Sequence, residues 1–191
     1  MGVMTVRQAA WRGGVDAPPR TPVIVDVPEV YCLAIPGAGP QDGTVWARAR
    51  HDLLSAWQTR IGADHPQACE PPPLEVIWDD TTRHTWTLLL PLPEPPSDLP
   101  HDAARHVVPG LPAGCSVIRM HEGWCAQLMF YGASNREMSI ARLDRFLVQQ
   151  GYRPRGCEGR PHPCLHEIYL DAPASTPAPR VIARRPIQPA G

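Results

Sequence analysis

Two glutamates stand where strands are expected. Glu167 lies in LHEIYLDAP and Glu75 in PPLEVIWDD, each among aliphatic residues and one aromatic. Side chains alternate across a strand, so Glu167 shares a face with Tyr169, and Glu75 with Ile77. A buried carboxylate is costly unless hydrogen bonds or a cation compensate it, and Tyr169 can supply one such bond. Two readings stand side by side. Each glutamate sits on a solvated sheet face or edge, or each is placed to meet a ligand. A cleft with carboxylates and aromatics suits planar, apolar or cationic organic molecules. Trp78, Trp86 and Trp124, on strands or turns, are pocket candidates, and Tyr131 adds a further ring. Trp46 and Trp57 lie on a predicted helix and read as core.

Other constellations carry less chemistry. Cys157, His162, Cys164 and His166 fall within ten residues, but they form no Cys-x-x-Cys knuckle. Pro161 and Pro163 also stiffen that segment, so no metal is expected. Cys125 or Cys164 with a histidine would make a nucleophile, yet nothing local marks either thiol as activated. PGAGPQDGT lacks the Gly-Lys-Ser/Thr ending of a phosphate loop. All 18 basic residues are arginine, which excludes a lysine Schiff base. No cofactor is expected.

The elements that must position these residues repeat along the chain. Glu29 and Glu122 each stand three residues before a cysteine, Cys32 and Cys125. Glu29 precedes Glu75 by 46 residues and Glu122 precedes Glu167 by 45. Between them lie helical stretches. In Thr44–Ile61, Trp46, Ala49, Leu53, Leu54, Trp57 and Ile61 follow the spacing of one buried face, and Gly62 is the expected stop. In the second half, Ser134-Asn135-Arg136-Glu137 reads as a capping box. Ile140, Leu143, Phe146 and Leu147 form the stripe that follows, and Gly151 ends it. Strands are expected at Val23–Val27, Tyr31–Ile35, Leu74–Trp78, Thr85–Leu90, Ser116–His121, Cys125–Tyr131, His166–Leu170 and Arg180–Arg184, the last as an edge strand. On the penultimate strand, His166, Ile168 and Leu170 are the better candidates for packing on the helices.

The expected fold class is α+β. Residues 22–187 form a single domain of two repeats, 22–92 and 113–187, joined by a proline-rich linker, 93–112. Residues 1–21 read as a flexible N-terminal segment and 188–191 as a tail. If the repeats pair about a pseudo-twofold axis, Glu75 and Glu167 approach one central cleft from opposite sides.

Composition narrows the partners. The net charge is -1, with histidines neutral, over 191 residues, so no broad field attracts nucleic acid or an anionic membrane. No apolar run is long enough to span a bilayer, and the N-terminus lacks the apolar stretch of a signal peptide. The expectation is a cytoplasmic monomer or homodimer with six free thiols and a small aromatic molecule as its partner.

HEIYLDAP, preceded by a helix and a GY turn, resembles the ending of GyrI-like small-molecule-binding domains. PPLEVIWDD, HTWTLLLPLP and GWCAQLMFYGA are similar to the free-standing branch of that family. The resemblance covers about residues 22 to 187. The first repeat departs from the pattern with IWDD in place of a second aromatic, and the linker is richer in proline. The resemblance implies two pseudo-symmetric βαββ-type (SHS2-like) modules around a central ligand cleft, with Glu167 facing the ligand. Some free-standing relatives hydrolyse the cyclopropane of DNA-alkylating antibiotics of the yatakemycin and CC-1065 type; others only bind drugs. Hydrolysis would need a base for water and a donor for the developing phenolate. Glu167 would be the base or water-orienting group and Tyr169 the donor. Glu75 would be a second acid/base or a binding carboxylate, and Trp78, Trp86 and Trp124 would sandwich the planar ligand. The alternative is a sequestering or effector-sensing protein with the same pocket and no chemistry.

Overall fold

Apolar alternation becomes strand and the two striped segments become helix in a computed structural model. It describes residues 21–64, 71–79, 83–93, 105–156, 164–171 and 178–191. In chain order the elements are β1 (Val23–Val27), β2 (Val30–Ala38), α1 (Thr44–Asp64), β3 (Leu74–Trp78), β4 (Thr85–Pro91), β5 (Arg105–His106), β6 (Ser116–Met120), β7 (Gly123–Tyr131), α2 (Arg136–Gln149), β8 (Tyr152–Pro154), β9 (Leu165–Tyr169) and β10 (Arg180–Pro189). The fold is α+β, as expected. No helix among the described residues is long and apolar enough to cross a membrane. Most of the predicted N-terminal segment and residues 94–104 of the predicted linker lie outside the described residues. The described end of that linker supplies only β5, a two-residue strand on β6.

Two compact units partition the chain. The first is Glu29–His121; the second joins the residues up to Pro28 to Glu122–Gly191. In the first unit the strand order is β3-β4-β2-β6-β5; in the second it is β1-β7-β10-β9, with β8 also on β10. The pairings within each unit are antiparallel.

The repeat is visible in the register. Cys32 pairs with Pro91 on one side and Ile118 on the other. Cys125 pairs with Pro186 and Val25. β3, β4, β2 and β6 thus correspond to β9, β10, β7 and β1. The leading strands have traded places: β1 precedes β2 in the chain but bonds to β7, and β6 precedes β7 but bonds to β2. Chain order alone puts β1 with the first repeat and β6 with the second.

The register also corrects the alignment of the two glutamates. Glu75 opposes Leu89, and His166 opposes Arg184. Leu89 and Arg184 each lie two residues before the corresponding proline, Pro91 or Pro186. Glu167 opposes Ala183 and Val76 opposes Leu88, each one position further from that proline. His166 is therefore the counterpart of Glu75, and Val76 that of Glu167. The near-equal spacing in sequence hides a one-residue slip, which turns a side chain to the other face.

Three prolines sit inside strands without breaking them. Pro36, Pro91 and Pro186 each lie where only one neighbouring strand still pairs within the unit, so the missing N–H interrupts no second ladder. β10 was expected to be an edge strand. Instead it runs between β7 and β9, with Val181, Ile182, Ala183 and Arg184 buried where both neighbours pair.

The helix ends differ in detail. α1 continues past Gly62 to Asp64, since one interior glycine costs only about 1 kcal/mol. The capping box before α2 does not form. Asn135 holds the cap position in helical conformation with no side-chain cap bond, and its Nδ2 donates to the Tyr131 carbonyl at 2.7 Å. Gly151, at φ 74°, closes α2 as expected, because its left-handed conformation favours glycine.

Candidate functional site

α2 identifies which side of the second unit's sheet is covered. Its Asp144 pairs with Arg185 at 2.8 Å, and its first residue, Arg136, pairs with Glu167. Glu167 and Ala183 are register partners, and Arg185 shares their face. Glu167 and Tyr169 therefore face the helix. The opposite assignment, with His166, Ile168 and Leu170 toward the helix, followed from hydropathy and is overturned by these two ion pairs.

Glu167 is fully buried and held on both oxygens. The Arg136 Nε donates to Oε1 at 2.5 Å and Nη2 donates to Oε2, a forked geometry that suits a carboxylate. The Tyr169 hydroxyl donates to Oε2 at 3.0 Å. The bond expected from Tyr169 is present; Arg136 was missed. A signal was available for it. A cation in the first turn of a helix opposes the helix dipole, so an arginine there calls for a carboxylate partner.

The opposite face carries a second polar group, also in the second unit. Arg184 donates from Nε and Nη2 to the Gln127 amide oxygen at 3.1 and 3.0 Å, and from Nη1 to Glu122 Oε2 at 3.1 Å. His166 Nδ1 lies 3.0 Å from Glu122 Oε1, and Arg155 donates to the Glu122 carbonyl at 2.6 Å. All four members, Glu122, Gln127, His166 and Arg184, are buried. Burial pushes the Glu122 carboxyl up, but His166 and Arg184 outweigh it and lower it to about 2. Glu122 is ionised and matched, so the group reads as a structural clamp on β7, β9 and β10.

Glu75, Trp78 and Trp86 belong to the first unit. Glu75 is buried opposite Leu89. Trp78 and Trp86 were separated from Trp46 as pocket residues. The structure puts all three in one buried cluster: Trp46 stacks on Trp78 at 5.8 Å and meets Trp86 edge-on at 4.9 Å. In the second unit Trp124 is 61% exposed and Tyr131 36% exposed.

Neither Cys115 nor Cys125 has the lowered pKa of an activated thiol. Burial, with Glu122 next, pushes the Cys125 thiol well above its ordinary range, and burial raises Cys115 to about 11. Cys164 is held in a disulfide, contrary to the expectation of six free thiols; Cys32, Cys115 and Cys125 are free. Cys157 and His162 of the candidate metal group lie outside the described residues.

Solved structures share this fold. A hydrolase from Listeria innocua superposes with a TM-score of 0.68 at 25% identity, covering 90% of this chain and 94% of that one. A second Listeria innocua structure, also described as a hydrolase, gives 0.67 at 26% identity, with 90% and 94% covered. The C-terminal domain of EcmrR gives 0.57 at 9% identity, with 88% and 98% covered, a likeness of fold alone. These likenesses are consistent with the GyrI-like resemblance at the level of fold. Neither a protein-family model nor a curated protein matches the chain.

Proposed function

We propose that the protein binds a planar organic molecule beside Arg136, Glu167 and Tyr169 and opens a strained electrophilic ring in it by adding water. The observation that carries this reading is the 3.0 Å contact between the Tyr169 hydroxyl and the Glu167 carboxylate. It couples a proton acceptor to a phenol donor on one strand face. The likeness to a protein described as a hydrolase, at 25% identity, supports it.

For a cyclopropane conjugated to a dienone, Glu167 takes a proton from water as the oxygen bonds to the ring methylene. The cyclopropane carbon–carbon bond breaks and its electron pair passes into the dienone, leaving a phenolate. Tyr169 donates a hydrogen bond to that oxygen as charge develops. The proton held by Glu167 then passes to the phenolate, so the product is the substrate plus one water. Trp124 lies on the Glu167 face of β7 and is the ring-contacting candidate of this unit, whereas Tyr131, in register with Arg180, lies on the opposite face. The setting is the cytoplasm, where such compounds meet DNA.

A second reading has its own observation. Arg136 occupies both Glu167 oxygens, which weakens the carboxylate as a base and suits a protein that only sequesters its ligand.

Mass spectrometry after mixing the protein with a cyclopropanoid alkylator separates the two. The expected result is a gain of one water over many turnovers, lost by about 100-fold or more in Glu167→Gln. Tight binding with unchanged mass leaves sequestration. Wild-type turnover in Glu167→Gln removes Glu167 as the base.

A further inference from the structure

We infer that the Arg136–Glu167 pair makes this site select uncharged planar ligands and reject lipophilic cations. The inference deepens the binding reading above and rests on it. Glu167 has no exposed side-chain surface, whereas the Arg136 side chain keeps 15%. A molecule arriving at the pair meets the guanidinium, not the carboxylate. Both Glu167 oxygens already accept from that guanidinium, and one of them also from Tyr169. A cationic ligand would have to displace a forked, buried ion pair to reach the carboxylate. It would meanwhile sit beside a like charge, and like-charge juxtaposition is strongly unfavourable in a desolvated site. A neutral ring system bearing a carbonyl meets neither penalty. It can stack on the flat guanidinium.

The counterpart positions show that this charge pair is particular to the second unit. Val76 stands where Glu167 does, and Trp78 where Tyr169 does, by the strand register. The first unit builds an aromatic cluster there. The carboxylate and its arginine are thus additions to one repeat, not requirements of the fold.

The test compares two dyes of one shape, acridone (neutral, with a carbonyl) and N-methylacridinium (cationic), by fluorescence titration of wild type, Arg136→Gln and Glu167→Gln. Wild type should bind acridone at least about tenfold more tightly than N-methylacridinium. Arg136→Gln should bring N-methylacridinium up by about tenfold with acridone changed far less. Glu167→Gln should move the preference the other way, since Arg136 then stands unneutralised. Thermal melting of each variant reports folding, and Arg136→Lys, which keeps the charge, should still reject the cation if Arg136→Gln does not fold. A merely structural role would move both dyes together. A wild-type preference for N-methylacridinium, or parallel changes for both dyes, overturns the charge selection while leaving binding intact. Binding of neither dye removes the small-molecule reading and this inference with it.

Discussion

Arg184→Ala should cost about 3–5 kcal/mol of folding stability, the penalty for leaving a buried charge without its partner. Arg184 is 2% exposed and joins Glu122, on the residue before β7, to Gln127 on β7. Its loss strips Glu122 of one of the two groups that hold its carboxyl down. The pH dependence follows from the sign of that shift. The folded carboxyl, at about 2, lies below its ordinary 4.5. Glu122 therefore stabilises the fold above pH 4.5, and the contribution fades as pH falls from 4.5 toward 2. In Arg184→Ala the folded carboxyl rises, so acid unfolding should begin at higher pH. Urea denaturation at pH 7 and at pH 4 measures both effects. A loss under about 1 kcal/mol with an unchanged acid limb would mean that the clamp contributes little. Glu122→Gln combined with Arg184→Met removes both charges and should recover much of the loss, because a buried pair replaced as a pair is often close to neutral.

Trp86→Ala should cost a similar amount, about 3–5 kcal/mol. The indole is fully buried, touches Trp46 edge-on, and donates from Nε1 to the Gly39 carbonyl at 3.0 Å. It also lies directly over Gly37, its register partner on β2. A methyl group at Gly37 would come within 2.2 Å of the ring. Gly37→Ala alone should therefore destabilise by about 1–3 kcal/mol, because Trp86 must leave its place. With Trp86 already replaced by alanine, the glycine change should cost far less than it does alone. Additivity of the two losses in a double-mutant cycle would refute this account of the glycine.

Period and punctuation made most of the fold readable. Both helices and all eight expected strands follow from apolar spacing, Trp46, Ala49, Leu53, Trp57, Leu143 and Leu147 of the two stripes are buried, and Gly151 ended α2 as a glycine should. Long-range choices were not readable. Nothing local in VIVDV says that β1 bonds to β7 instead of β2, since both partners offer the same apolar alternation. The face of Glu167 was misjudged for a related reason. Every residue of β9 is buried, so hydropathy cannot tell the helix side from the other side. The Tyr169–Glu167 contact was legible because both residues lie two apart on one strand. Arg136 was not, because its partner is 31 residues away and the cap motif around it gave a sufficient local account. The clamp of Glu122, Gln127, His166 and Arg184 is spread over 62 residues and left no pattern in sequence.

The exchange of β1 and β6 bears on what one repeat can do alone. A fragment of residues 22–92 keeps β1, which its own sheet does not use, and lacks β6, which it does. A fragment of residues 113–187 has the converse surplus and deficit. Each half thus offers a spare strand and an open slot that its complement fills, as in domain-swapped dimers. The intact chain is a tethered pair in which the linker supplies a high effective concentration. Cutting that tether should make assembly concentration-dependent while leaving the assembled product the same, whereas discarding either half removes a strand from the other's sheet.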